Sequence, residues 1–148
     1  MTRKILLDSD YLISAFDSGQ VGEVDRKRRE VVEKLAGDPD TRFRITPLIF
    51  YEALRNCANP EVMEKKLNDL GFKYLEVSEA HGRRAAAAFR FAVNQNQGTR
   101  PDWLDKRSFD LFHCVCEEAN EVELISGNVD DVPRLKQLLF DSRHPQNA

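Results

Sequence analysis

The stretch Lys4-Ile5-Leu6-Leu7-Asp8 is the starting point for the fold that the sequence predicts. Lys4 to Leu7 has the length and composition of a buried β-strand, and the strand ends at an acidic residue. Later in the chain, three more short apolar runs alternate with longer stretches that have helical spacing. Strands that alternate with helices are typical of an α/β domain with a mainly parallel sheet covered on both faces. The sequence therefore predicts an α/β fold in which Asp8 follows the first strand.

The remaining elements follow from the same periodicity and from residues that begin or end helices. Thr46-Pro47 has the pattern of an N-cap followed by proline at the first helical position. The polar segment 94–101 is predicted to be the main loop. The other predicted strands are 42–46, 72–77 and 121–126, and the predicted helices are 11–16, 23–35, 47–57, 60–70, 79–94, 108–119 and 133–140.

Length and charge limit the class of protein. A chain of 148 residues is typical of one domain, which we expect to span residues 1–141, with a short polar tail at 142–148. The 22 basic and 25 acidic side chains give a formal charge of −3. This composition favours a folded protein over a disordered one, and it lacks the basic excess of proteins that bind nucleic acids through bulk charge.

The length of the apolar runs and the spacing of the cysteines predict the cellular compartment. The longest apolar runs fall far short of the ~18–20 residues that a membrane helix needs, and no signal-peptide pattern precedes the first strand. The three cysteines, Cys57, Cys114 and Cys116, have no metal-type spacing, so we expect free thiols. A cytoplasmic protein without membrane contact is the expectation.

Acidic and amide side chains follow the first and last predicted strands. Asp8 comes at the end of the first strand, and Asn128, Asp130 and Asp131 come after the last one. In an open α/β sheet, ligands bind at the carboxyl ends of the strands. We therefore expect these side chains to lie at one edge of the sheet.

Two further acids stand in apolar runs. Glu52 occurs in Pro-Leu-Ile-Phe-Tyr-Glu-Ala-Leu and Asp110 in Ser-Phe-Asp-Leu-Phe-His-Cys-Val. A carboxylate that is partly buried costs several kcal/mol unless it is paired or bound to a metal. Acids that converge on one edge repel one another, and either protonation or a divalent cation relieves that repulsion. Because all the candidate ligands are oxygens, the cation that suits them is Mg²⁺ or Mn²⁺, and Asp8, Glu52 and Asp110 are the candidate residues for such a site.

Four motifs occur in the order and spacing of PIN-domain ribonucleases, and the chain most resembles the VapC-type toxins of bacterial toxin–antitoxin pairs. The motifs are Ile5-Leu6-Leu7-Asp8-Ser9-Asp10, the Glu52 run, the Asp110 run, and Ile125-Ser126-Gly127-Asn128-Val129-Asp130-Asp131. The resemblance implies a compact three-layer α/β/α sandwich with a mainly parallel sheet of four or five strands. It also implies a Mg²⁺- or Mn²⁺-dependent endoribonuclease that acts on RNA, forms a homodimer and is inhibited by a cognate antitoxin protein.

The resemblance also assigns the site residue by residue. Asp8, Glu52 and Asp110 match the three core acids, and Asn128 stands where the family often has a fourth acid. Asp131, and less directly Asp130, supplies the missing charge nearby. The resemblance implies Asp8, Glu52, Asp110 and Asp131 as catalytic residues, and the same four together with Asn128 as metal ligands. Ser9 and Ser126 match hydroxyl residues that support those ligands.

Each acid also has a purely structural interpretation. Asp8 is a good helix N-cap, and Glu52 could pair with Arg55 on its own helix. Asp110 is favoured near a helix start by the helix dipole, and Asp131 fits a helix-opening turn. His113 follows Asp110 by three residues and is predicted to be a packed helix residue.

Two other functional classes remain open. A haloacid-dehalogenase-type phosphatase would use Asp8 as nucleophile and Asp10 as general acid, but it leaves Glu52 and Asp110 unexplained. A PIN-like binding module without a metal is favoured by Asn128.

Basic residues of the second half are the predicted RNA-facing rim. Trp103 is predicted to anchor the long loop, with stacking on a base as the alternative. The predicted rim residues are Arg83, Arg84, Arg90, Arg100, Lys106 and Arg107.

Overall fold

A computed structural model describes residues 2–17 and 19–145. Within these ranges the chain forms eight helices and four strands. The strands are β1 (Arg3–Leu7), β2 (Thr41–Ile45), β3 (Lys73–Tyr74) and β4 (Glu123–Ile125). The helices are α1 (Ser9–Phe16), α2 (Glu23–Ala36), α3 (Pro47–Asn56), α4 (Pro60–Asp69), α5 (Glu79–Gln95), α6 (Asp102–Asp105), α7 (Ser108–Asn120) and α8 (Asp131–Arg143). The predicted α/β class is confirmed.

The described residues form two compact units. The first contains the residues up to Glu76 together with Glu121–Gly127, so it holds the whole sheet and helices α1 to α4. The second contains Val77–Asn120 and the residues from Asn128 onward, and it holds α5 to α8.

The sheet of the first unit is parallel throughout, with strand order β3-β2-β1-β4. Ile5 pairs with Phe43 of β2 on one side and with Glu123 of β4 on the other. Successive strands β1, β2 and β3 extend the sheet in one direction, whereas β4 lies on the opposite side of β1. The strand order therefore reverses between β1 and β4, which is the position where open α/β sheets bind ligands.

The apolar run of β1 is buried as predicted. Ile5, Leu6 and Leu7 have no exposed surface, so side chains on both faces of the strand are covered. Ile45 and Ile49 are buried in the same unit. Burial of such side chains contributes about 1.5–3 kcal/mol each, so the three apolar residues of β1 contribute substantially to the stability of the sheet.

Helix caps agree with the sequence signals. Thr46 accepts a hydrogen bond from the Ile49 amide at 3.1 Å, and Pro47 occupies the first turn of α3. In the second unit, Ser78 caps α5, and the His81 side chain accepts a hydrogen bond in return from the Ser78 amide. Helices α5, α7 and α8 contact one another in that unit.

Several element boundaries differ from the prediction; α1 begins at Ser9, and β4 covers only Glu123–Ile125 of the predicted 121–126. Strand β3 covers only Lys73–Tyr74 of the predicted 72–77, because it pairs on one side alone and Phe72 stacks on Phe43 instead. Helix α6 follows the predicted loop 94–101, at a place where no helix was predicted. Helix α8 begins two residues earlier than predicted, and Pro133 is tolerated there because first-turn amides have no partner within the helix.

The described helices are too short or too polar to cross a membrane. All three cysteines are free, as expected; Cys114 and Cys116 are buried and Cys57 is half-buried. Burial raises the pKa of the Cys116 thiol to about 11, so this thiol stays protonated and unreactive near neutral pH.

Candidate metal centre

Asp8 lies at the carboxyl end of β1, beside the end of β4, and only 4% of its surface is exposed. Its backbone amide donates to the carbonyl oxygen of Ile125 at 3.0 Å, which continues the pairing of the two strands. The side chain caps α1, since Oδ1 accepts a hydrogen bond from the Ser9 amide at 2.7 Å. Oδ2 accepts from the Ser126 hydroxyl at 2.8 Å. Asp8 is therefore both a helix cap and a buried carboxylate held at the point where the strand order reverses.

Glu52 brings a second carboxylate to Asp8. It lies on α3, directly before the buried Ala53, and one of its carboxylate oxygens is within 4.8 Å of one from Asp8. The alternative pairing with Arg55 is not the arrangement observed, because the Arg55 guanidinium lies over the ring of Tyr51 and donates to its hydroxyl. Two carboxylates at this separation repel each other, so a cation between them would stabilise the pair.

Asp10 has a different role, because it ties β4 to α1. Its Oδ1 accepts a hydrogen bond from the Tyr11 amide and its Oδ2 one from the Gly127 amide, each at 2.8 Å. Burial first, and then the negative charge of Asp8, raise the pKa of the Asp10 carboxyl, while the Gly127 amide and Arg28 lower it. This link holds the turn after β4 against the start of α1.

Gly127 is the residue that makes this link possible. A Cβ at position 127 would overlap the guanidinium of Arg28 and the carboxylate of Asp10. Both groups are ends of side chains that would move, and movement of Asp10 weakens its hydrogen bond with the Gly127 amide. Gly127→Ala is therefore expected to lower the free energy of unfolding by about 0.5–1.5 kcal/mol in urea denaturation. Gly82→Ala in α5 is the matched control, since a Cβ there meets nothing within 4 Å and alanine should stabilise the helix by about 0.5–1 kcal/mol. Equal stability of Gly127→Ala and wild type would contradict the close packing of this turn.

In the second unit, Asp110 and Asn128 lie together. Asp110 stands in the first turn of α7 with 9% of its surface exposed, and its Oδ2 accepts a hydrogen bond from Nδ2 of Asn128 at 2.9 Å. Asn128 also accepts the Val132 amide through its backbone carbonyl, so it joins the start of α8 to α7. An asparagine can donate to the carboxylate in this way, whereas an aspartate at position 128 would repel Asp110.

The acids at the start of α8 have other surroundings. Asp131 forms an ion pair with Arg107, with 2.7 Å between Oδ2 and Nε. Asp130 precedes the helix, is exposed, and makes no side-chain capping bond. A cation at Asp131 would have to compete with a guanidinium that is already in contact.

Other predicted residues have clear structural positions. His113 has no exposed surface in α7, in agreement with a packed helix residue.

Most cations of the predicted RNA rim already contact acids. These pairs are Arg83–Glu79, Arg84–Glu118, Arg100–Asp105, Lys106–Asp102 and Arg107–Asp131.

The roles of two residues were not predicted. Gly127 packs closely against Arg28, and Arg134 lies 3.7 Å from the ring centre of Trp103. A glycine directly after a strand is a sequence signal for close backbone approach, so the first could have been inferred. The second depends on how helices pack and has no local signal.

The site in the first unit consists of the Asp8 and Glu52 carboxylates and the Ser126 hydroxyl, which donates to Asp8. All the side-chain atoms concerned are oxygens, which is the ligand set that Mg²⁺ and Mn²⁺ prefer. Searches against protein-family models, curated proteins and solved structures found no match to this chain.

Proposed function

We propose that the protein is a metal-dependent endoribonuclease that cleaves RNA phosphodiester bonds, with its ion bound by Asp8 and Glu52. One observation carries the proposal: the buried Asp8 carboxylate lies within 4.8 Å of that of Glu52, at the end of β1 where the strand order reverses. The acidic motifs occur in the order found in PIN-domain ribonucleases, and this resemblance is the reason for proposing RNA cleavage as the reaction at the pair.

The donor set fits Mg²⁺ or Mn²⁺. A cation held between two carboxylates of like charge, one of them almost fully buried, offsets their mutual repulsion. When bound, such an ion neutralises charge on a phosphodiester and lowers the pKa of an attacking water.

The chain itself fixes the direction of the Asp8 carboxylate. The Ser9 amide holds one oxygen and the Ser126 hydroxyl holds the other, while the Asp10–Gly127 link keeps the turn after β4 in place. Glu52 is positioned by α3, whose first turn is anchored by the Thr46 cap. A site that is held this rigidly orients its ligands before substrate binds.

The rest of the proposal comes from the resemblance. It assigns Asp110, Asn128 and Asp131 to the same ion, with Asp110 and Asp131 as catalytic residues. It also makes the protein a cytoplasmic toxin that forms a homodimer and is blocked by a cognate antitoxin.

Calorimetric titration with Mn²⁺ tests the metal directly. Wild type is expected to bind saturably, and Asp8→Ala is expected to abolish binding, because only one carboxylate of the pair remains. Asp69→Asn is the control, since it removes an exposed acid that pairs with Lys65 on α4. Absence of saturable binding by wild type, or unchanged binding by Asp8→Ala, would instead support a binding module without a metal.

A phosphatase that uses Asp8 and Asp10 is the second candidate, and one observation favours it. The pKa of Asp10 is raised, as a general acid requires. Against it, both Asp10 oxygens accept hydrogen bonds from backbone amides. Hydrolysis of a phosphomonoester that is abolished by Asp10→Asn but not by Glu52→Gln would establish the phosphatase, and the nuclease predicts the reverse dependence for RNA cleavage.

A further inference from the structure

The second unit carries a surface groove beside Trp103, formed where α5, α6 and α8 meet. Its volume is about 330 Å³, at the lower end of the ~300–1,000 Å³ range of small-molecule sites. Apolar side chains form much of its wall, and amides and one acid stand along it. The lining includes Phe91, Gln95, Trp103, Gln137, Leu138 and Asp141.

Arg134 gives the groove a positive charge next to its aromatic wall. Its guanidinium carbon lies 3.7 Å from the centre of the Trp103 ring, close enough to stack. Within the part of the chain that the structure describes, Arg134 has no ion pair with an acid, unlike the nearby Arg107. This cation is therefore available to a phosphate or a base without first breaking an ion pair.

The polar side of the groove has a defined hydrogen-bonding character. The Gln137 amide donates to Oδ1 of Asp141 at 2.9 Å, which leaves the Gln137 carbonyl and the other Asp141 oxygen as acceptors at the groove. Acceptors of this kind recognise an exocyclic amino group, as a carboxylate does with N4 of cytosine.

Trp103 also lines a second groove of about 420 Å³. Lys106 and Arg107 stand there, together with the acids that pair with them. A chain of nucleotides with a base beside Trp103 has Lys106 and Arg107 in the adjoining groove, where its phosphates would replace Asp102 and Asp131 as partners of these cations. Proteins that hold single-stranded RNA commonly combine a stacking aromatic with nearby cations.

We propose that the groove between α5, α6 and α8 binds an unpaired, amino-bearing base of single-stranded RNA, stacked on the Arg134 guanidinium that covers the Trp103 ring. The inference rests on the proposed function for its choice of RNA as ligand. It adds a recognition site that lies wholly within the second unit and does not involve the Asp8–Glu52 pair.

Trp103 is the only tryptophan of the chain, so its fluorescence reports on the two grooves that it lines, and the Arg134 variant identifies the first of them. The probe is an eight-nucleotide 2′-O-methyl oligocytidylate, which resists cleavage, in buffer with EDTA. We expect saturable quenching of wild type. Arg134→Gln should raise the half-saturating concentration about fivefold or more, the lower limit for loss of a stacking contact. The control Lys136→Gln removes a positive charge from the same helix, where it pairs with Glu117, and should bind like wild type.

Two further probes identify the ligand. Oligouridylate of the same length has no amino group and should need about fivefold or more higher concentration, and free cytidine monophosphate should bind more weakly than the oligomer. No quenching, equal behaviour of Arg134→Gln and Lys136→Gln, equal binding of the two oligomers, or equal binding of the free nucleotide would each overturn the proposal. Because the assay needs neither metal nor cleavage, loss of the nuclease activity would leave its result unchanged.

Discussion

Glu52→Gln is expected to lower the rate of RNA cleavage by more than about a hundredfold. Loss of a partner that only supports a metal ligand costs about 10–100-fold, and Glu52 is proposed to contact the ion itself. The substitution keeps the size of the side chain and removes only its charge, so α3 and its Thr46 cap should be unaffected. The rate is measured with purified protein and a fluorescent RNA in Mn²⁺.

Glu61→Gln supplies the matched control for Glu52. The same chemical change is made there at an exposed position in the first turn of α4, where no effect on cleavage is expected. Far-UV circular dichroism confirms that both variants are folded. Cleavage by Glu52→Gln at the rate of Glu61→Gln would contradict the assignment of Glu52 as a metal ligand.

Growth arrest is the second large effect that we expect. Expression of wild type in a bacterial host without the antitoxin should stop growth, because an endoribonuclease acts repeatedly on cellular RNA. Asp8→Ala should allow normal growth, since it removes the carboxylate at the end of β1 on which the site is built. Colony counts after induction give the result.

The control for this experiment is Asp69→Asn, which should arrest growth as wild type does. Immunoblots of induced cells ensure that the variants accumulate to similar levels. Growth arrest by Asp8→Ala equal to that of wild type would contradict toxicity through metal-dependent cleavage.

The first unit was largely predictable from sequence because its signals are local. Three consecutive apolar residues that end at Asp8 predict a buried strand, and Thr46-Pro47 predicts the start of α3. Strand β3 was predicted too long, because alternation of apolar residues does not show whether a strand has a partner on one side or two.

The candidate site was predictable where it follows strand ends. Asp8 and Ser126 end neighbouring parallel strands, so their hydrogen bond follows from the topology. The link from Asp10 to the Gly127 amide was not predictable, because it depends on the backbone path of a turn.

Contacts of the second unit depend on helix packing and could not be predicted from the sequence. The Asp131–Arg107 ion pair joins α8 to the turn between α6 and α7, and the stacking of Arg134 on Trp103 joins α8 to α6. No local pattern specifies either contact. Sequence patterns show which side chains carry charge, whereas only the packed structure shows which charges are already neutralised.

Incubation with a circular single-stranded RNA distinguishes endonucleolytic cleavage from other reactions at phosphate, because a circle has no ends for an exonuclease or a phosphomonoesterase. Purified wild type is expected to convert the circle to linear fragments in Mn²⁺, with no conversion in EDTA and none by Asp8→Ala. A circle that stays intact with wild type in Mn²⁺, or that is opened equally by Asp8→Ala, would contradict a metal-dependent endoribonuclease centred on Asp8.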